Sequence, residues 1–118
     1  MSYVDGFVIP LPKKNAATYR KIARAAGKVW MDAGAVSYTE ALGDDLTPKF
    51  GALFPRMTRL KKGETVIFSF IVYKSRKHRD SVNAKVMKDP RMAKLMKVPM
   101  PFDGKRMAFA GFKAIVEL

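Results

Sequence analysis

Apolar positions along the chain fall into two kinds of run. Tyr3 to Leu11 is apolar almost throughout, with Asp5 the one charge inside it. That pattern predicts a strand covered on both faces. Pro10 and Pro12 are expected to end it, because proline donates nothing to a ladder. From Lys13 to Ala33 the spacing changes: Ile22, Ala26, Val29, Trp30 and Ala33 recur at three- and four-residue steps and predict an amphipathic helix. Gly34 follows as the residue that accepts a left-handed conformation after a helix end. Ala35 to Leu42 reads as a second strand. Glu64 to Tyr73, rich in β-branched and aromatic residues, reads as a third. Between them, Asp44 to Gly63 is a long connection holding Phe50, Leu53, Phe54 and Met57, too apolar for a solvated loop and suited to covering a pocket mouth or a dimer partner. Ser75 to Lys88 is expected to be helical, with Ser75 as N-cap and Val82, Val86 and Met87 facing inward. Asp89-Pro90 then opens a short helix over Arg91 to Met96, and Arg106 to Glu117 reads as the last strand.

The order β, α, β, β, α, β over residues 1–118 predicts a single α+β domain of the ferredoxin-like kind, a four-stranded antiparallel sheet with two helices on one face. The first strand then lies centrally, beside the last. The helices leave one sheet face bare. That face would carry either Phe68, Phe70 and Val72 or Ile67, Ile71 and Tyr73, and both sets are apolar. Exposed apolar patches of this size mark interaction surfaces. A second copy of the sheet, related by a two-fold axis, is the simplest cover and gives a dimeric α/β barrel. Nucleic-acid bases stacked on the aromatic rings are the rival cover.

Composition narrows the chemistry. The 118 residues include no cysteine, which removes disulfides, thiol nucleophiles and thiolate metal sites. No run approaches the ~20 apolar residues of a membrane-crossing helix, and Met1 to Pro12 lacks the basic start of a signal peptide. A cytoplasmic protein is the expectation. Lys and Arg number 23 against 10 Asp and Glu, a net charge of +13. Such a field attracts polyanions. The basic residues concentrate on the predicted helices (Arg20, Arg24, Lys28, Lys77, Lys85, Lys88), and the third strand lacks the motif of the RNA-recognition module.

Asp5 is the most informative acid. A buried carboxylate is costly unless paired. Arg106, on the approach to the neighbouring last strand, is its expected partner, with Asp103 and Lys105 beside it. Arg79 and Asn83 share a face of the second long helix, next to Asp80. His78, the only histidine, sits in a basic helix start and reads as a surface residue. Trp30 lies on an apolar stripe and reads as core. The eight methionines suit gaps and adaptable surfaces. No glycine-rich phosphate loop and no metal-ligand cluster is present, so neither a cofactor nor a metal is expected.

Tyr3-Val4-Asp5-Gly6-Phe7-Val8, Arg79-Asp80-Ser81-Val82-Asn83, Asp89-Pro90-Arg91-Met92 and Pro101-Phe102-Asp103-Gly104-Lys105-Arg106-Met107 together resemble the YbaA-like family, domain of unknown function 1428. The resemblance runs over almost the whole chain. It implies the dimeric α/β-barrel superfamily, whose members include cofactor-free oxygenases, isomerases and degradation enzymes, and it implies no activity. The expected protein is therefore a homodimer that binds or converts a small molecule in a cavity between sheet and helices. The expected pocket residues are Asp5, Phe7, Arg79, Asn83, Asp103 and Arg106. The alternative is a module for weak nucleic-acid or protein binding through the basic helix surface.

Overall fold

The computed structural model describes residues Met1–Leu118. Strand β1 spans Tyr3–Pro12, β2 Ser37–Leu42, β3 Glu64–Tyr73 and β4 Ala108–Lys113. They form one antiparallel sheet in the order β2-β3-β1-β4. The ferredoxin-like α+β expectation holds, and β1 is central. The prolines do not end β1. It pairs with β3 as far as Pro12↔Glu64, whereas its pairing with β4 stops at Val8↔Ala108. The Lys13 N–H bonds to the Gly63 carbonyl, and the Ser2 carbonyl accepts from Ala114. Odd-numbered residues of β1 therefore bond toward β3 and even-numbered ones toward β4. Pro10 and Pro12 point their missing donor to the side where β4 has already ended, so no ladder bond is lost.

Helices α1 (Ala16–Asp32), α3 (Arg76–Lys88) and the short α4 (Pro90–Leu95) cover one face of the sheet, and a single turn, α2 (Phe54–Met57), lies in the long connection. Lys13–Asn15 forms a 3₁₀ turn ahead of α1 rather than its first helical turn. The Ser75 hydroxyl accepts from His78 N, and the Asp89 carboxylate from Arg91 N, so both predicted caps are made. Gly34 has φ +113°, the left-handed conformation expected after the helix. Val29, Ile71, Tyr73, Val82, Val86 and Met92 make one core cluster; Ile9, Leu11, Tyr19, Ala23 and Ile67 make a second. Each valine, leucine, isoleucine or methionine among them, fully buried, contributes roughly 1.5–3 kcal/mol. Met87, expected inside, is exposed. The α3 stripe runs Val82, Val86, and a residue one position further on turns about 100° away.

Two glycines permit close packing. The Tyr3 ring lies against Gly111 so closely that a Cβ there would overlap it, and Tyr38 ring carbons stand 2.7 Å from the position a Gly27 Cβ would take. Gly27 costs α1 about 1 kcal/mol relative to alanine, which the ring beneath it requires.

The last strand begins at Ala108, not Arg106. Gly104–Arg106 is instead a 3₁₀ turn capped by Asp103, whose carboxylate accepts from Lys105 N at 3.0 Å. From that turn Arg106 grips the start of β3. Its guanidinium donates to both Glu64 oxygens, at 2.6 and 2.9 Å, and to the Arg59 carbonyl at 3.0 Å. The fork holds the Glu64 carboxyl below the usual glutamate range; burial opposes this and the Lys61 N–H adds to it. A depressed folded value stabilises above the unfolded pKa and is lost as pH falls through the folded one. The thermal stability lost in Glu64→Gln should therefore be largest above about pH 5 and shrink below about pH 4. A deficit that stays constant across that range in thermal melts would show that the fork carries no charge-dependent stability.

The other sheet face has no helix over it. Val4, Val8, Phe68, Phe70 and Phe112 line a shallow apolar surface there. Of the two alternatives, the face carrying Phe68, Phe70 and Val72 is the bare one, while Ile67, Ile71 and Tyr73 are buried under the helices. The chain is a slab of 38 × 37 × 20 Å, two layers thick. The long connection borders this bare face, with the Phe54 ring edge-on to Phe68 at 6.4 Å.

Candidate functional site

Between the sheet and α1 lies a cavity of about 260 Å³. Its floor is Phe7, Ile9, Ser69 and Ile71, which β1 and β3 present on one face by their two-residue alternation. Its roof is the α1 stripe Tyr19, Ile22, Ala23, Ala26 and Trp30. The stripe starts one turn earlier than the apolar pattern indicated, because Tyr19 continues it. Met96 and Val98 to Phe102, the turn and irregular segment after α4, border its mouth. Asn15 Nδ2 donates to the Pro101 carbonyl at 2.7 Å, and the Phe102 ring meets Tyr19 edge-on at 5.9 Å. No residue of the Asp44 to Gly63 connection lines this cavity. Of the two roles expected of that connection, covering a pocket mouth or a dimer partner, the first does not hold for this cavity; it borders the bare face instead.

The polar corner of the cavity is built by three side chains. Tyr38 and Glu40 are two apart on β2 and so share a face; Tyr19 reaches them from α1. The Tyr19 hydroxyl donates to Glu40 Oε1 at 2.6 Å and the Tyr38 hydroxyl to Oε2 at 2.7 Å. Burial, reinforced by the carboxylate, pushes both phenols well above the ordinary tyrosine value. Both stay protonated, and both protons are committed to Glu40. Glu40 takes part in none of the five ion pairs of the chain. The sequence signal for this corner was the Tyr-x-Glu alternation on β2, which carries a charge onto an otherwise apolar strand face.

A second polar cluster lies beyond Trp30. The Asp5 carboxylate, 6% exposed, accepts from Arg79 Nη1 at 2.7 Å. Arg79 also stacks over the Tyr3 ring, 5.0 Å from its centroid, and donates to Asp80. Asn83, one turn on along α3, accepts at Oδ1 from Trp30 Nε1 at 3.1 Å and from the Tyr73 hydroxyl at 3.3 Å. Burial, and then the Asp5 charge, push the Tyr73 phenol up. No buried polar side-chain atom in the chain lacks a partner.

The six residues expected to form one pocket divide into three groups. Phe7 lines the cavity. Asp5, Arg79 and Asn83 form the adjoining network, which touches the cavity through Trp30. Asp103 and Arg106 lie elsewhere: one caps its own turn and the other binds Glu64. The partner of Asp5 is therefore Arg79, not Arg106. Continuing the β1–β4 register puts Arg106 opposite Pro10, five residues from Asp5, or ~16 Å at ~3.3 Å per residue. His78 is half-buried, not free on the surface. Its Nδ1 accepts from Lys74 N at 3.0 Å and its ring lies edge-on to Tyr73.

Residues 2–104 match the family described as a protein of unknown function, DUF1428. The uncharacterized protein YbaA of Escherichia coli K12 is 38% identical over 117 residues, 99% of each chain, and YbaA of Shigella flexneri matches equally. Among solved structures, Rv0793 from Mycobacterium tuberculosis superposes with a TM-score of 0.60 at 14% identity, covering 99% of this chain and 98% of that one. A putative antibiotic biosynthesis monooxygenase from Nitrosomonas europaea gives 0.60 at 10% identity over 97% and 90%. A NIPSNAP domain protein from Burkholderia xenovorans gives 0.57 at 12% identity over 95% and 93%. These likenesses are of fold alone. No helix is long and apolar enough to cross a membrane.

Proposed function

The chain belongs to the DUF1428 family, and from that premise we propose that it acts as a homodimer which binds a small, largely apolar molecule in the cavity between sheet and helices. The observation that carries the reading is the cavity itself. An engineered apolar cavity of about 150 Å³ admits benzene, and this one, at about 260 Å³, is lined mainly by apolar and aromatic side chains with a single polar corner. Ligand sites have that character: apolar walls and a few placed polar groups. The bare sheet face supports the homodimer. It is flat, apolar and two-fold compatible, and a second copy would supply the third and fourth layers that a sheet with one naked face lacks.

Titration with 1-methylnaphthalene, read by Trp30 fluorescence, tests the binding reading. Saturable binding is expected, weakened about tenfold or more when Ala26→Phe fills the roof. Absence of saturable binding in the natural chain would overturn it.

A second reading rests on the unpaired cations Arg20, Arg24 and Lys28, which stand exposed along α1. They suit weak, salt-sensitive association with a polyanion, away from the sheet face.

A further inference from the structure

We propose that Glu40, held between Tyr19 and Tyr38, is the anchor for a protonated amine on the ligand of this cavity; the inference rests on the cavity being a ligand site. Both tyrosine protons are spent on Glu40, at 2.6 and 2.7 Å. What these three side chains still offer is acceptors, the remaining carboxylate lone pairs and those of two phenol oxygens; the Ser69 hydroxyl, opposite Glu40 in the β2–β3 register, can donate or accept beside them. Such a corner recognises donors and rejects anions. The negative charge also has no cationic partner within ion-pair distance. Arg20 and Arg24 line an adjoining groove that Tyr19, Tyr38 and Glu40 also border, and neither makes an ion pair with Glu40. A half-buried, uncompensated carboxylate is costly, and a cation seated beside it offsets that cost.

The walls complete the match. Phe7, Tyr19, Trp30, Tyr38 and Phe102 put aromatic faces around the corner, and aromatic faces attract ammonium groups, most strongly when water is excluded. Apart from Thr39 and Ser69 beside Glu40, the rest of the lining is aliphatic or thioether, suited to a hydrocarbon body. The net charge of +13 opposes a cation from afar, but at physiological salt that field is screened beyond about 8 Å. The local carboxylate therefore decides the contact. The ligand class is a hydrophobic, preferably aromatic, primary amine.

Three probes of one shape test this: 1-naphthylmethylamine, 1-methylnaphthalene and 1-naphthoate, each titrated calorimetrically at pH 7. The amine should bind about tenfold or more tighter than the hydrocarbon, the size of one charge-assisted hydrogen bond, and the carboxylate weakest. In Glu40→Gln the amine's advantage should vanish while the hydrocarbon still binds. Equal binding of amine and hydrocarbon in the natural chain would overturn the ammonium assignment and leave the cavity reading intact, as would an amine preference that survived Glu40→Gln. No binding of any probe would overturn the cavity reading itself. The comparison of probes on the natural chain decides the matter even if Glu40→Gln folds poorly.

Discussion

Arg79→Ala is expected to unfold at a midpoint about 10–20 °C below the natural chain, since removing one partner of a buried ion pair costs about 3–5 kcal/mol and each kcal/mol moves a domain of this size by roughly 3–5 °C. The reason lies with what is left behind. Asp5 is on the central strand, its side chain 8% exposed, and Arg79 Nη1 is the donor it meets at 2.7 Å. Without that donor the strand must bury a bare carboxylate or open to let water in. The Tyr3 ring, packed between Arg79 and Gly111, loses its cover at the same time. Removing both charges should cost less than removing the one. Asp5→Asn combined with Arg79→Met leaves no uncompensated ion, and its melting temperature should lie above that of Arg79→Ala alone. A drop of under about 3 °C in Arg79→Ala would mean that Asp5 is solvated in place and that the pair fixes little.

If the proposed homodimer forms through the bare sheet face, Phe112→Asp is expected to convert it to a monomer. Phe112 stands on the bare sheet face, 58% exposed in a single chain and close against Gly6. The substitution therefore disturbs the isolated fold little, while in a face-to-face dimer it would bury an unpaired carboxylate, at a cost of several kcal/mol. Phe109, on the same strand and 66% exposed, points to the opposite face, where it stacks on Phe7 at 5.7 Å. Phe109→Asp should leave the mass unchanged. Light scattering of the natural chain and both variants, at low and high salt, reads the outcome. If both variants dissociate, β4 pairs edge to edge and not face to face; if neither does, the sheet face is not the contact. Adding a short RNA to the same runs tests the second reading. Association that persists undiminished at high salt would contradict a mechanism based on the α1 cations.

Much of the architecture was legible because it follows from local periodicity. The two-residue and 3.6-residue patterns located β3 to the residue, placed α1 and α3 within a turn, and gave the element order that leaves few topologies. At Ser75 and Asp89 the cap's own side chain accepts from a backbone N–H two or three positions on, which a linear reading reaches. The need for Asp5 to be paired was also legible, since it depends only on a charge inside an apolar strand. So was the choice of arginine as the kind of side chain that grips a carboxylate in a fork: Arg106 does so, on Glu64.

Which partners meet was decided only in three dimensions. The β1–β4 register and the late start of β4 carry Arg106 to the far end of the sheet and leave Asp5 to Arg79, 74 residues away along the chain. The same register excuses Pro10 and Pro12, whose missing donors fall where no neighbour remains. Glu40 became the polar corner because α1 lays Tyr19 across β2, a contact between two elements that no spacing along either one encodes. Periodicity specifies a face for each element. Register and the packing of one face on another are set by the summed burial of all of them, so the chemistry that arises between elements exists only once the fold has closed.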